Sequence, residues 1–254
     1  MYKLKTILTP LKYILPIIGL MLINGFANMR HADKYVNAVS IQIDNQYQNY
    51  FIDENDVYNL IDETGKDYLM NTDFGTLDIK SIENKVKSHR FVEDAEVYHD
   101  LNGNLTIDVK QNRPIARILN AESADQYIGT TGLLLPQSSH FTARVLLITT
   151  DSEVYFPEEN INDSEEGMKI FELLKFISKD EFWKAQIAAV HINKNYELIL
   201  QPQVTKQLIE FGMAEKFEAK FKKLKVFYKE ILPYKGWNSY ETVNLKYKNQ
   251  IVCK

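Results

Sequence analysis

The chain has 254 residues, 45% of them apolar and 12% aromatic, with only 10 glycines and 7 prolines, which excludes a disordered, collagenous or low-complexity protein. Its formal charge is −4, from 34 acids against 30 lysines and arginines, so the composition offers no basic field for nucleic acid. A single cysteine, Cys253, excludes an internal disulfide; stability must come from packing, and the plainest role for this thiol is that of a small apolar residue in a terminal strand.

Residues 13–29 form an uncharged run, preceded by Lys3, Lys5 and Lys12 and followed by no acid until Asp33. Crossing ~30 Å of hydrocarbon takes ~20 apolar residues, a length reached when Ile7, Leu8 and Leu11 are counted and Lys12 snorkels back. The excess of lysine before the run predicts residues 1–12 as a cytoplasmic tail, residues 13–29 as one transmembrane helix, and everything after Arg30 as exported. A cleaved signal peptide is the competing expectation, because Gly25-Phe26-Ala27 puts small residues where a signal peptidase reads. Asn24, Pro10, Pro16 and the length of the apolar stretch favour the uncleaved anchor.

Residues 36–110 read as one module. Val39, Ile41 and Ile43 alternate with polar residues, as in a half-buried strand. Asp53 is an N-cap for a helix with Val57, Leu60 and Ile61 on one face and Gly65 at its stop; Asp78 caps a second, striped by Ile79, Ile82 and Val86. Ala95, Val97 and His99 then alternate up to Asn102-Gly103, and Leu105, Ile107 and Val109 alternate back. Asn-Gly between two such runs predicts a hairpin, since both residues tolerate positive φ. The order is strand, helix, helix, strand, strand.

Pro114 biases Arg113 towards extended geometry directly after that hairpin, and a domain boundary is expected within 111–114. Residues 111–254 form the second domain. Strands are expected at 115–119, 126–128, 144–149, 187–192, 196–201 and 207–211, the fourth and fifth joined through Asn193-Lys194-Asn195, with a final pair at 242–247 and 249–253. Two helices interrupt them. The first spans 164–182, with Met168, Phe171, Leu174 and Ile177 inward; the second spans 214–231, with Phe217, Phe221, Leu224, Tyr228 and Ile231 inward. The fold class is therefore α+β: an anchor, a small β-α-α-β-β module, and a mixed sheet with helices packed on it.

No chemistry-bearing constellation emerges. The histidines His31, His89, His99, His140 and His191 are scattered, without the helical spacing or neighbouring cysteine of a zinc site. Gly129-Thr130-Thr131-Gly132 lacks the lysine of a phosphate loop and reads as a turn. Asp53/Glu54, Glu158/Glu159 and Glu165/Glu166 fall in loops or at helix N-termini, where the helix dipole explains carboxylates. Lys216, Lys220, Lys222, Lys223, Lys225 and Lys229 lie opposite Phe217, Phe221 and Leu224, with Glu215, Glu218 and Glu230 interspersed, and read as a solvated helix face. No catalytic residue, metal, cofactor or small-molecule substrate is expected.

Three stretches carry a resemblance: FVEDAEVYHDLNGNLTIDVKQNRPIARIL at 91–119, YIGTTGLLLP at 127–136, and KFKKLKVFYKEI followed by YETVNLKYKNQIVCK at the end. In this order, behind a short basic tail and one apolar segment, they resemble the bacterial cell-division family FtsQ, called DivIB in some lineages. The sequence departs from the family at Asn45, where glycine is common, at Thr130, where the turn usually has aspartate, and at 99–104, which lack the tryptophan-proline often found there.

The resemblance implies that 36–110 is a POTRA domain and 111–254 the family's β domain. It further implies a non-enzymatic scaffold in the cytoplasmic membrane, with both domains outside (periplasmic), expected at the division septum. Such a scaffold binds FtsB- and FtsL-type coiled-coil partners and helps regulate septal peptidoglycan synthesis. A terminal strand at a sheet edge would expose unpaired backbone groups to a partner strand. The residues expected to form that edge are Val243, Leu245, Tyr247, Gln250, Ile251, Val252 and Cys253, with Ile251 and Cys253 on one face and Gln250 and Val252 on the other; the alternative is that they merely close the sheet. An exported enzyme, or a POTRA-bearing envelope assembly factor with a cleaved signal, is the alternative; the second would need a β-barrel of many ~10-residue strands, for which about 140 residues with two helices leave no room.

Overall fold

The computed structural model describes residues 17–19, 21, 35–45, 50–61, 69–70, 72–119 and 124–254. Of the predicted anchor these include only 17–19 and 21, which are helical; the rest of it, the tail at 1–12 and the Gly65 stop lie outside the described residues. No helix among the described residues is long and apolar enough to cross a membrane. The chain divides into two compact units, Met1–Gln46 with Ile52–Gln111, and Tyr47–Phe51 with Asn112–Lys254.

The smaller unit contains β1 (Ala38–Asp44), α1 (Glu54–Ile61), α2 (Ile79–Lys87), β2 (Val92–His99) and β3 (Asn104–Gln111). β3 is central: β1 runs parallel to it and β2 antiparallel, giving the order β1-β3-β2. Both predicted caps form. Asp53 Oδ1 accepts from the Asp56 amide and Asp78 Oδ1 from the Ser81 amide, each at 2.9 Å, satisfying donors that a first helical turn leaves open. At the hairpin, Asp100 Oδ1 accepts from the amides of Asn102 (2.8 Å) and Asn104 (2.9 Å). Gly103 turns at φ +88°, where a Cβ would meet Asn37 Nδ2 at 2.7 Å. Ile41, Leu105, Ile107 and Val109 from the sheet bury against Val57, Ile61, Ile82 and Val86 from the helices.

The larger unit contains β4 (Pro114–Ile118), β5 (Gln126–Gly129), β6 (Leu134–Leu135), β7 (Leu146–Thr150), α3 (Glu165–Lys179), α4 (Glu181–Gln186), β8 (Ile187–Ile192), β9 (Leu198–Pro202), β10 (Leu208–Gly212), α5 (Phe217–Val226), α6 (Leu232–Lys235), β11 (Thr242–Asn244) and β12 (Val252–Cys253). Its strands form one mixed sheet in the order β12-β11-β10-β9-β8-β7-β4-β5-β6. β4, β7 and β8 are parallel neighbours, as are β10 and β11; the remaining pairs are antiparallel. Ile148, Val190, Leu198, Leu200, Ile209 and Phe211 share one core with Phe171, Leu174, Phe221 and Leu224 of the helices.

Three expectations change. The helix expected over 164–182 breaks at Asp180, whose backbone is extended (φ −90°, ψ 111°) and whose Oδ1 accepts from the amides of Phe182 (2.9 Å) and Trp183 (3.1 Å), starting α4. Met168 is 52% exposed, because the inward stripe runs through Gly167, Ile170, Phe171, Leu174 and Ile177 and Met168 falls beside it. Ile231 is exposed as well. Residues Phe227–Ile231 form a π-helical turn between α5 and α6, and its extra residue rotates the helical phase so that Tyr228 buries as expected while Phe227 and Leu232 bury in place of Ile231.

Candidate functional site

The two edges of the larger sheet differ. On the outer side of β6, the Leu134 amide donates to Glu159 O (2.8 Å) and the Ile161 amide to Gly132 O (2.9 Å), so the chain itself covers that edge. β12 is the strand at the other end, and among the described residues nothing pairs with its outer side. An uncovered edge is a row of free donors and acceptors, a template for another strand.

The register fixes which groups point outward. Lys254 and Thr242 exchange backbone hydrogen bonds at 3.0 and 3.2 Å, and β12 pairs Val252 with Asn244 and Cys253 with Val243. Hydrogen-bonded and non-hydrogen-bonded pairs alternate along an antiparallel ladder, so Val252 faces β11 with its backbone while Ile251 and Cys253 turn theirs to the open side.

The seven predicted edge residues divide accordingly. Val243 and Leu245 are buried in the core, so they build the sheet and present no side chain at the surface. Ile251 and Cys253 are half-buried and pack against the same core, whereas Gln250 and Val252 are exposed on the other face. Tyr247 is 51% exposed. The strands are shorter than the sequence suggests, since Asn244 Oδ1 accepts from the Lys246 amide (2.9 Å) and Asn249 adopts φ 58°, turning 245–251 into a loop between β11 and β12.

That loop is held by a residue read as part of a solvated face. Lys223 Nζ donates to the carbonyls of Tyr247 (2.7 Å), Leu245 (3.1 Å) and Gln250 (3.3 Å). One turn earlier Lys220 Nζ donates to Met213 O (2.7 Å) and Phe211 O (3.0 Å) and sits 4.7 Å from the Phe211 ring centroid. Burial pushes the pKa of both ammonium groups down. Lys216, Lys222 and Lys229 are exposed as expected. The available signal was position: Lys220 and Lys223 flank Phe221 and Leu224, where a long side chain lays its stem on the core and carries its head to backbone acceptors. From within the loop, Lys246 Nζ pairs with Glu197 Oε2 at 2.8 Å, and this contact holds the Glu197 carboxyl below its usual pKa.

Thr149, His191 and Asp151 line up in the manner of a nucleophile, base and orienting acid: Thr149 Oγ1 lies 3.0 Å from His191 Nδ1, and His191 Nε2 lies 3.2 Å from Asp151 Oδ1. Thr149 and His191 are register partners across β7 and β8, and Asp151 also accepts from the Lys194 amide (2.9 Å). The trio braces the turn from β8 to β9.

The smaller unit is a helix-covered three-stranded sheet and the larger a wide mixed sheet with one open edge, a pairing that defines a POTRA-like module followed by a β domain. Residues 34–110 match the POTRA-like domain family, and residues 113–254 match the family described as FtsQ/DivIB, C-terminal related. None of the curated proteins matches the chain. The second match covers more than half of the sequence: the chain belongs to the FtsQ/DivIB family and is a cell-division protein.

Proposed function

We propose that this chain is a bitopic scaffold of the division machinery that binds a small coiled-coil membrane protein of the FtsB or FtsL type along β12 and thereby helps regulate septal peptidoglycan synthesis. Residues 13–29 form its one membrane span, residues 1–12 stay in the cytoplasm, and both units lie outside, at the septum. The role is assembly rather than catalysis. The observation that carries the reading is the uncovered outer side of β12, beside the covered outer side of β6. A partner strand would pair with the backbone of Ile251 and Cys253 for affinity, and Gln250, Val252 and Tyr247 would read its side chains. The smaller unit acts as the recruitment surface, so substitutions there disturb arrival at the division site and spare partner binding.

In-cell photo-crosslinking from single photoreactive residues at Tyr247, Gln250, Ile251 and Val252 tests the reading. Adducts to one small membrane-anchored coiled-coil protein, alternating in strength with the strand period, support it. A folded, membrane-extracted protein with no adduct from any position overturns the edge mechanism.

A further inference from the structure

A cleft of about 670 Å³ opens in the larger unit where the parallel strands β4, β7 and β8 begin. Its volume falls within the ~300–1,000 Å³ of clefts that hold ligands. The floor is aliphatic, made by Ile115, Leu146, Ile187 and Ala188, and the rings of Tyr50 and Phe141 meet edge to face at one wall, 5.6 Å apart at 79°.

Two features set this cleft apart from an ordinary surface depression. The first is charge. Among the described residues Arg113, Arg144 and Lys184 line it and no carboxylate does, in a chain with 34 acids. Among the described residues neither Arg144 nor Lys184 belongs to an ion pair, and both are exposed. The second is the backbone. β4 gains an extra residue against β5 between Pro114 and Ala116, and β8 gains one against β9 between Ile187 and Ala189. The inserted residues, Ile115 and Ala188, both lie in the cleft floor. A bulge interrupts its ladder and re-aims the chain, and bulges gather next to functional sites.

We propose that this cleft binds a short extended segment of a partner protein that carries carboxylate side chains among aliphatic ones. Arg144 and Lys184 take the carboxylates, since charge-assisted hydrogen bonds to an unpaired cation are the strong ones, and the floor takes the aliphatic side chains. A phosphate-rich polymer fits poorly, because the four aliphatic floor residues would strip its charges of water without replacing those hydrogen bonds. The cleft does not involve β12, so this inference stands apart from the edge-strand reading.

The test is fluorescence anisotropy with the full chain in detergent and a labelled hexapeptide alternating leucine and glutamate. Binding should fall by at least about tenfold with Arg144→Glu and with Lys184→Glu, the scale of one lost charge-assisted hydrogen bond. Lys184→Met, which adds no repulsion, should weaken it in the same direction, and unchanged melting curves should show that each variant folds. Ile251→Pro should leave peptide binding intact. The proposal is overturned if the peptide does not bind or binds all variants alike. It is equally overturned if the leucine–glutamine peptide, hexaglutamate or anionic phosphatidylglycerol vesicles bind as well, because the cleft would then be unselective or a lipid site.

Discussion

The ammonium of Lys223 lies 2.7 Å from the carbonyl oxygen of Tyr247, so the last long helix holds the loop that delivers the terminal strand to the sheet edge. With its bonds to Leu245 and Gln250, this one side chain satisfies three carbonyls of the loop between β11 and β12. Lys223→Met keeps the aliphatic stem and removes the donors. Global stability should drop by about 1 kcal/mol, because the group is only partly desolvated and water replaces some of the lost bonding. The larger effect should be local: the Val252 and Lys254 amides, which face β11, should exchange with solvent faster, as measured by hydrogen exchange. Unchanged exchange there would mean that Lys223 does not position the edge.

Proline substitution separates the two sides of β12. At Ile251 it removes an amide that faces outward and trims a half-buried side chain, so the urea midpoint should fall only modestly while partner binding falls. At Val252 it removes the amide directed at Asn244, so the β11–β12 pairing itself should weaken. Equal loss of stability in both variants would contradict the register.

The smaller unit should lose stability in mild acid through His89. Burial lowers the pKa of this imidazole below the usual 6.5, with Asp56 acting weakly the other way, and the neutral ring accepts the Phe91 amide at Nδ1 (3.4 Å). Between the lowered value and 6.5 the unfolded chain binds more protons than the native one, so stability is full above 6.5 and declines as pH falls through that window. Urea unfolding of wild type and His89→Gln across the window should show a flatter pH dependence in the variant. Parallel curves would remove His89 from the account.

Asp180→Ala should cost about 0.5–2 kcal/mol, the range for a lost N-cap. Its carboxylate serves both Phe182 and Trp183, and Trp183 is buried in the main core, so near-ultraviolet circular dichroism should change with the urea midpoint.

Patterns that are local in sequence were legible without coordinates. Period-two alternation located β1 and the β2–β3 hairpin, Asp53 and Asp78 announced their helices, and Ile187–Ile192 is a strand with the expected bounds. Alternation also sorted Ile251 and Cys253 from Gln250 and Val252, because neighbouring residues of an extended chain point to opposite faces whatever lies around them. Helix interiors were read less well where one residue shifts the phase, as the π-helical turn did for Ile231, or where a side chain caps in mid-run, as Asp180 does. Composition and spacing thus determined the class of fold, the two-unit order and the faces of the strands. Only the tertiary structure decided which strand ends the sheet, which lysines leave the solvent to hold its carbonyls, and that cations from distant parts of the sequence share one cleft that no carboxylate among the described residues lines. Each of those depends on contacts between residues far apart in the chain, and no local periodicity encodes them.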